Sequence, residues 1–211
     1  MTDGSPIRTL VIETATAACS VALFDGDTLV DARHEVVGRG HAELLVPMIG
    51  QLPGCGRADR ILVDVGPGSF TGLRVGIAAA IGLGIGWCVE AAGFSSLALI
   101  AAGAGSDIDA PEIAVAIEGG NGEVFVQHFA RAPLLALDEP VSLAPDAALT
   151  RIAGRPVLGN VARRLSEIEV TDALPDARHV MRLPTGLRAL PPRPLYLRAP
   201  DARLPGGITP A

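Results

Sequence analysis

A glycine-bracketed turn between an apolar strand and a long apolar helix constrains the fold of this 211-residue chain more than any other feature. The β-branched run 61–65 leads into Gly66-Pro67-Gly68, and the predicted helix follows directly. Glycine on either side of the proline permits a positive φ or a close backbone approach, and Ser69 or Thr71 can cap the helix. A helix start of this kind attracts an anion or receives another segment of backbone.

Small residues recur at every fourth position of the helix predicted over residues 69–88. They are Gly72, Gly76, Ala80 and Gly84. Residues four apart share a helix face, and each glycine weakens a helix by about 0.8–1 kcal/mol relative to alanine. A close approach by another element is expected to compensate. We favour a seam with a helix of another chain over tight packing on the protein's own sheet, and both interpretations stay open.

The turn lacks the two common nucleotide-binding motifs. The chain has no lysine and therefore no Walker A motif, and Thr71 stands where a dinucleotide fingerprint needs its last glycine. The histidines have no metal-ligand spacing, and no Ser/His/Asp set is nominated by the sequence. The histidines are His34, His41, His128 and His179. We therefore predict no catalytic residues and no metal site.

Composition indicates a chain that can bury a sizeable core of aliphatic side chains, because 49% of the residues are hydrophobic and only 3% are aromatic. The odd set of three cysteines has no Cys-x-x-Cys pair, which favours free thiols and a cytoplasmic location. No secretory signal is evident, and the uncharged run between Arg74 and Glu90 is too short and glycine-rich to predict a membrane span. Residues 151–211 are rich in arginine, which we interpret first as a solvated surface and second as a contact to RNA or a partner.

The first half of the chain has the element order β-β-β-α-β-α, which is the half-domain order of the actin, Hsp70 and sugar-kinase fold. The predicted strands are 7–13, 18–24, 28–36 and 61–65, and the predicted helices are about 41–52 and 69–88. A linking helix over 95–103 follows. We predict an α/β, actin-like (RNase H-like) fold with two subdomains, residues 1–104 and a shortened 105–211, each with a mixed sheet flanked by helices.

The second half begins with another predicted hairpin, which suggests a degenerate duplication. Its strands are 113–117 and 124–129, and Asn-Gly within 119–122 forms the turn. Beyond it we predict helices over 145–152 and 161–168 and a short strand at 157–158. Seven prolines between residues 184 and 210 predict an extended tail.

Several blocks of the sequence resemble the bacterial TsaB (YeaZ) family. The most specific is the stretch Gly66-Pro67-Gly68-Ser69-Phe70-Thr71-Gly72-Leu73-Arg74-Val75-Gly76. Weaker matches lie at 10–23, at His41 with 44–49, at 93–97, at 122–125 and at 194–198. The resemblance spans about residues 8–130 and 194–205, whereas residues 131–190 match poorly.

The resemblance implies a non-catalytic, actin-like subunit that binds and activates TsaD. TsaD forms N6-threonylcarbamoyladenosine beside the anticodon of tRNAs reading codons that start with A. TsaC would supply threonylcarbamoyl-adenylate, the ATPase TsaE would join the assembly, and tRNA would be contacted indirectly. No intrinsic cofactor is expected, and ATP or ADP would bind only within the complex.

The family pairs through its first two helices, with TsaD or, in isolation, as a homodimer. On this chain the resemblance implies an interface at His41, Leu44, Leu45, Met48, Gly72, Arg74, Gly76, Ala80 and Gly84. We expect Gly76→Leu or Ala80→Leu to block pairing and to leave a folded monomer.

Three departures from the family pattern concern nucleotide or TsaE contacts through the second half of the chain. Glu13 replaces the usual aspartate, Ile117-Glu118-Gly119-Gly120 stands where Ile-Asp-Ala-Arg is expected and so lacks an arginine, and the second unit is short. Separately, Leu45 stands where TsaD has the second histidine of its metal pair, which argues against independent catalysis. A weak anion or nucleotide contact is nevertheless considered at the end of the first strand and the start of the second helix. Its residues are Glu13, Thr14, Thr16, Gly68, Ser69 and Thr71.

Three alternatives remain. An actin-like small-molecule kinase or ATPase would need a phosphate-binding glycine hairpin, which is missing after Glu13. A metallopeptidase relative would need bound metal. A self-dimerising scaffold would use the same small-residue ladder without TsaD.

Overall fold

The computed structural model describes residues 6–105 and 108–197. The elements of the first half are β1 (Arg8–Glu13), β2 (Ala18–Asp25), β3 (Thr28–Val36), α1 (His41–Gly50), β4 (Arg60–Asp64), α2 (Phe70–Trp87), β5 (Ala91–Phe94) and α3 (Ser96–Gly103). Those of the second half are β6 (Glu112–Glu118), β7 (Val124–Arg131), β8 (Leu134–Ala136), β9 (Val141–Leu143), α4 (Pro145–Ile152), β10 (Val157–Gly159) and β11 (Val170–Asp172).

The first half forms a mixed sheet in the order β3-β2-β1-β4-β5. β1 is its central strand, and Leu10, Val11 and Ile12 are fully buried because helices or chain segments cover both faces. β2 and β3 follow as antiparallel neighbours through short connections. β4 and β5 run parallel to β1 and to each other, since α1 and α2 return the chain to the same edge before each of them begins.

The second half repeats this topology. Its sheet has the order β8-β7-β6-β10-β11, with β9 also paired to β7. β6 and β7 form an antiparallel hairpin, whereas β10 and β11 lie parallel to β6. Two sheets with the same order and the same strand directions confirm the actin-like fold class and the duplication predicted from the second hairpin.

Three apolar layers hold the sheets and helices together. Ile12, Leu45 and Ile77 belong to the layer between the first sheet and α1 and α2. Phe94, Leu97 and their neighbours on α3 fill the space between the two sheets. A smaller layer packs α4 on the outer face of the second sheet. The aliphatic composition suits these layers, because β-branched and small side chains pack closely on a pleated surface.

The sequence prediction differs from the structure mainly after residue 90. The predicted helix over 161–168 is wrong, because Val161–Ile168 consists of turns in which Val161 and Leu165 are buried as single anchors. The sequence also missed β5, β8, β9 and β11. These strands have four residues or fewer, too few for an alternating pattern to be recognised.

The last described segment returns to the first sheet. A 3₁₀-helix at Ala177–Arg182 packs on α3 and on β1 to β3. Beyond it, Leu190 forms an antiparallel bridge with Gly93, and the Leu195 N–H donates to the Val65 carbonyl oxygen at 2.7 Å. The tail predicted from residue 184 onward is not extended throughout, because Thr185–Arg188 forms a 3₁₀-helix. Residues 191–197 have no regular secondary structure, as the prolines predicted, and the rest of the predicted tail lies outside the described residues. The division at residue 104 stays a prediction.

α2 is the one helix of the described residues that is long and apolar enough to cross a membrane by length and composition. A third of it is buried inside the protein, and the buried face packs on β1 and β4. One such helix is weak evidence for a membrane span, because core helices of soluble proteins pass the same test of length and composition.

Candidate functional site

The start of α2 is joined to the end of β1 by backbone contacts. The Ser69 N–H donates to the Ala15 carbonyl oxygen at 2.6 Å, and the Thr14 hydroxyl donates to the Gly72 carbonyl oxygen at 2.8 Å. A Cβ on Gly68 would overlap with the Ala15 carbonyl, and one on Gly72 would overlap with that of Thr14. The two glycines are therefore explained by close approach of the chain's own backbone.

Ser69, rather than Thr71, caps α2. Its Oγ accepts a hydrogen bond from the Gly72 N–H at 3.3 Å, while the preceding Gly66–Pro67 peptide bond is cis. The Ser69 and Gly72 N–H groups are thus engaged within the chain, by the Ala15 carbonyl oxygen and by the Ser69 hydroxyl. Of the two roles considered for this helix start, receiving another backbone is confirmed, and anion binding stays a prediction.

The residues predicted for the anion contact separate into two groups. Glu13 and Thr14 are fully buried at the end of β1. Thr16, Gly68 and Ser69 line an open cleft, whereas Thr71 is exposed on the first turn of α2.

The small-residue ladder of α2 faces the protein's own sheet, which corrects the seam we favoured. A Cβ on Gly76 would overlap with Thr14 Oγ1 and would lie 3.5 Å from Ile12 and 3.6 Å from Val63. Ala80 is fully buried, and a Cβ on Gly84 would lie 3.0 Å from the Val89 carbonyl oxygen. The ladder lets α2 approach β1 and β4 closely, so these residues are unavailable to a second chain.

A second ladder of small residues runs along the opposite, exposed face of α2. It consists of Ala78, Gly82 and Gly86, each four residues from the next. A Cβ on Gly82 or Gly86 would meet nothing within 4 Å. Ile81 is 45% exposed and Ile85 75% exposed beside them. The sequence analysis missed this ladder, although its spacing was readable and a six-residue offset from Gly72 rotates it by about 240°.

α1, which packs beside α2, also carries an exposed apolar side chain, whereas most of its predicted interface residues are internal. Val46 is 63% exposed. Leu45 and Met48 are buried in the layer under the helix, and Leu44 is half-buried. We call the exposed set Val46, Ala78, Ile81, Gly82, Ile85 and Gly86 the outer face.

His41 is buried at the start of α1, where its Nε2 lies 2.9 Å from the Ala18 carbonyl oxygen. The side chain one turn later is Leu45, which packs into the core. Within residues 6–105 and 108–197, no three His, Cys, Asp or Glu side chains come together as metal ligands do. The described cysteines are all free, with Cys55 and Cys88 exposed.

Arg74 connects α2 to the end of the described chain. Its guanidinium lies 3.5 Å from the centroid of the Phe70 ring, and its Nε donates to the Tyr196 hydroxyl at 3.3 Å. The Phe70 and Tyr196 rings are 5.8 Å apart between centroids. Phe70 and Tyr196 are each about half exposed, so this aromatic cluster extends the exposed surface from the outer face toward the cleft.

The cleft lies between the two halves of the molecule and has a volume of about 910 Å³. One wall comes from residues 15–17, 68–70 and 195–197, and the other includes Gly119, Gly120 and Asn160. The Asn160 side-chain oxygen accepts from the Glu118 N–H at 2.9 Å and fixes the second hairpin. The arrangement has the size of a small-molecule site. Its wall at 118–120 carries no arginine for a phosphate group, and Arg39 is the one cationic side chain among the described lining residues.

Two carboxyl groups are buried at the ends of adjacent parallel strands. Burial, together with the neighbouring charge of Asp64, raises the pKa of Glu13 well above its usual value. Burial raises the pKa of Asp64 to about 7, against hydrogen bonds from Gly66 and Ser96 that lower it. The sequence analysis singled out Glu13 and missed Asp64, because the pairing of β1 with β4 cannot be read from the spacing of the two residues.

The chain is similar to known proteins in sequence and in fold. A family model described as TsaD, tRNA N6-adenosine threonylcarbamoyltransferase, matches residues 33–153. The chain is 38% identical over 132 residues to the tRNA threonylcarbamoyladenosine biosynthesis protein TsaB of Escherichia coli, which covers 59% of this chain and 56% of that protein. It is 31% identical over 212 residues to the uncharacterized protein Rv3421c of Mycobacterium tuberculosis, with 92% and 93% covered.

The solved structure of YeaZ from Pseudomonas aeruginosa superposes with a TM-score of 0.75 at 26% identity and covers 90% of this chain and 100% of that chain. The matches to the curated TsaB proteins of Escherichia coli and Haemophilus influenzae span about half the length of those relatives, 56% and 53%.

Proposed function

Because this chain belongs to the TsaB (YeaZ) family, we propose that it acts in tRNA threonylcarbamoyladenosine biosynthesis as a non-catalytic subunit that binds and activates a TsaD protein. The observation that carries the proposal is the outer face of α1 and α2. An exposed helix with small residues at every fourth position allows a partner helix to approach its backbone closely. Isoleucines on the same face supply apolar area for that contact.

The buried side chains of α1 support a non-catalytic role. TsaD carries two histidines on its first helix, whereas this chain has His41 hydrogen-bonded to Ala18 and Leu45 packed in the core. A buried leucine one turn from a bonded histidine leaves no pair of imidazoles for a metal. The catalytic centre of the proposed assembly would therefore belong to TsaD.

The outer face also fits a second copy of this chain, so homodimer and heterodimer would compete for one surface. We propose that TsaD is the occupant in the assembly and that the homodimer forms only in its absence. Arg74 and the half-buried Leu44 remain within the proposed interface. The buried residues of the first prediction, among them Gly76 and Ala80, would act by positioning α2.

The remaining members of the assembly follow the same proposal. The ATPase TsaE would join the complex, tRNA would be contacted indirectly, and the protein would work in the cytoplasm. ATP or ADP would bind only within the complex, because the cleft wall at Glu118-Gly119-Gly120 carries no arginine and Arg39 is the one cationic side chain among the described residues that line the cleft. ATP hydrolysis by the isolated chain would favour the actin-like kinase or ATPase alternative.

Light scattering on the purified chain, alone and mixed with the TsaD protein of the same genome, tests the proposal. We expect a complex of one-to-one stoichiometry that forms at the expense of any homodimer. Ile85→Asp should abolish it, because burying an unpaired carboxylate in an apolar contact is unfavourable. Leu135→Asp is the matched control, since Leu135 is a 50% exposed aliphatic residue on β8, away from the outer face.

A complex that survives Ile85→Asp would place the contact elsewhere on the surface. No complex with the wild-type chain, with or without nucleotide, would contradict the proposal itself.

A further inference from the structure

Glu13 and Asp64 face each other across two parallel strands. Ile12 is paired with Val63 in the β1–β4 register, so the next residues, Glu13 and Asp64, lie opposite each other. Strands in a sheet are roughly 4.8 Å apart, and residues in register project from the same face. Val11 and Leu62, two residues earlier on each strand, both belong to the layer between the sheets. The two carboxyl groups therefore project together toward α3.

Each carboxyl group has one oxygen in a hydrogen bond and one without. Glu13 Oε1 accepts from the Ala15 N–H at 2.6 Å, and Asp64 Oδ1 accepts from the Gly66 N–H at 2.6 Å. Glu13 Oε2 and Asp64 Oδ2 are buried and have no hydrogen-bond partner among the described residues. A buried oxygen that lacks a donor is costly, and two carboxylates side by side would also repel each other.

The Ser96 hydroxyl favours the charged form of Asp64, but it lies beside Oδ1 and leaves Oδ2 without a donor. Ser96 Oγ lies 3.1 Å from Asp64 Oδ1 and 2.6 Å from the Pro67 carbonyl oxygen. A serine hydroxyl has one hydrogen, and the carbonyl is the nearer acceptor.

We propose that Glu13 and Asp64 hold one proton between Oε2 and Oδ2 at neutral pH, as a buried acid–carboxylate pair that fixes the floor of the cleft. With one proton bound, one of the two unpartnered oxygens becomes an O–H donor and the other accepts its hydrogen bond. The pair then carries a single negative charge. The pair also holds the loops after β1 and β4 through the Ala15 and Gly66 amides. Those loops support the N-terminus of α2, where the Ser69 N–H donates a hydrogen bond to the Ala15 carbonyl oxygen.

Charged and titratable groups from the surrounding elements modify the pair without supplying the missing donor. From the segment after β11, Asp176 raises the pKa of Glu13, and it is itself held by Arg178. His34 of β3 and His179 of the same segment complete the set near Asp176. Glu13 in turn contributes, after burial, to raising the pKa of Cys19 to about 11.

The proton makes stability depend on pH with a defined sign. Carboxyl groups of the unfolded chain release their protons at about pH 4, whereas the folded pair keeps one to a higher pH. Between those values the native state binds more protons, so stability falls as pH rises through the window and levels off above it. A single proton changes the folding equilibrium by up to about tenfold per pH unit.

Urea denaturation of the full chain between pH 5 and pH 9 tests this, with Glu13→Gln and Asp64→Asn as variants. An amide can donate permanently to the opposite carboxylate, so each variant should lose the decline that the wild type shows. At each pH the free energy of unfolding of the variant is subtracted from that of the wild type. The subtraction is needed because burial lowers the pKa of His179, which makes the free energy of unfolding rise with pH and so opposes the decline. Glu90→Gln, an exposed carboxyl on the same half of the molecule, should keep the wild-type profile.

Infrared spectroscopy keeps the test decisive should a variant fail to fold. At pH 6 the wild-type protein should show the carbonyl stretch of one protonated carboxyl group, although ordinary carboxyl groups are ionised there. A wild-type spectrum without that band would overturn the proposal. Stabilisation of the wild type by one equivalent of MgCl₂ that Glu13→Gln abolishes would also overturn it, by identifying a cation in place of the proton.

Discussion

Gly72 and Thr14 are in direct contact: the Thr14 hydroxyl donates to the Gly72 carbonyl oxygen at 2.8 Å, and the Thr14 carbonyl oxygen occupies the space that a Cβ on Gly72 would need. The contact fixes how closely α2 approaches β1. It also sets the orientation of the helix, with one row of small residues turned inward and a second row turned outward.

Alanine substitutions on the two rows should change stability in opposite directions. Gly76→Ala places a Cβ against Thr14 and should destabilise the protein by about 1–3 kcal/mol, as overpacking does. Gly82→Ala meets open space and should stabilise it by about 0.5–1 kcal/mol through helix propensity. Urea unfolding measures both. Equal changes in the free energy of unfolding for the two substitutions would contradict the finding that one row faces the sheet and the other faces solvent.

A larger residue on the outer row should block pairing without unfolding the chain. Gly82→Leu adds an isobutyl group to an exposed face, so far-ultraviolet circular dichroism should be unchanged while the complex with TsaD is lost. Gly76→Leu, by contrast, should fail to give a stable monomer. This replaces the expectation from the sequence that Gly76→Leu would leave a folded, unpaired protein. Gly82→Leu that retains full affinity for TsaD would exclude the outer row from the interface.

Of the two hydroxyl groups near the start of α2, only that of Ser69 should contribute to stability as the N-cap. Ser69→Ala removes the acceptor of the Gly72 N–H and should cost about 0.5–2 kcal/mol. Thr71→Ala, two residues later and exposed, should change stability by less than about 0.5 kcal/mol. Thermal unfolding of the two variants compares them directly, and a larger loss for Thr71→Ala would reassign the cap.

The end of the described chain should depend on the aromatic cluster at Arg74. Tyr196→Ala removes both the contact with the Phe70 ring and the hydrogen bond from Arg74, together worth about 1–2 kcal/mol locally. Exchange of the amide hydrogens of Arg193, Leu195 and residues 196–197 should accelerate, and exchange in β1 should stay unchanged. Tyr196→Phe keeps the ring and should show an intermediate effect. Unchanged exchange in Tyr196→Ala would mean that the Leu195–Val65 hydrogen bond holds the segment by itself.

The first half of the fold was predictable because its signals are local and long. β1 is a continuous apolar run, α2 spans eighteen residues after a glycine turn, and α1 has regular apolar spacing. α4 was also found at its observed bounds, Pro145–Ile152, since proline marks its first turn. β5 and the strands β8, β9 and β11 were missed because short strands are specified by their neighbours in the sheet.

The site was predicted less well, and for a physical reason. Small residues four apart indicate a close approach, but the sequence does not say whether the sheet or a second chain makes it. Gly72 and Gly76 pack closely against the first sheet at Thr14. The exposed residues Gly82 and Ile85 were not predicted. The pairing of Glu13 with Asp64 likewise needed the strand register.

The most direct test of the account is the N6-threonylcarbamoyladenosine content of tRNA incubated with TsaD, TsaC, TsaE, ATP, threonine and bicarbonate. With this chain present we predict full modification, with Ile85→Asp none, and with Leu135→Asp the wild-type level. Full modification without the chain, or unchanged modification with Ile85→Asp, would contradict the proposal that its outer face activates TsaD.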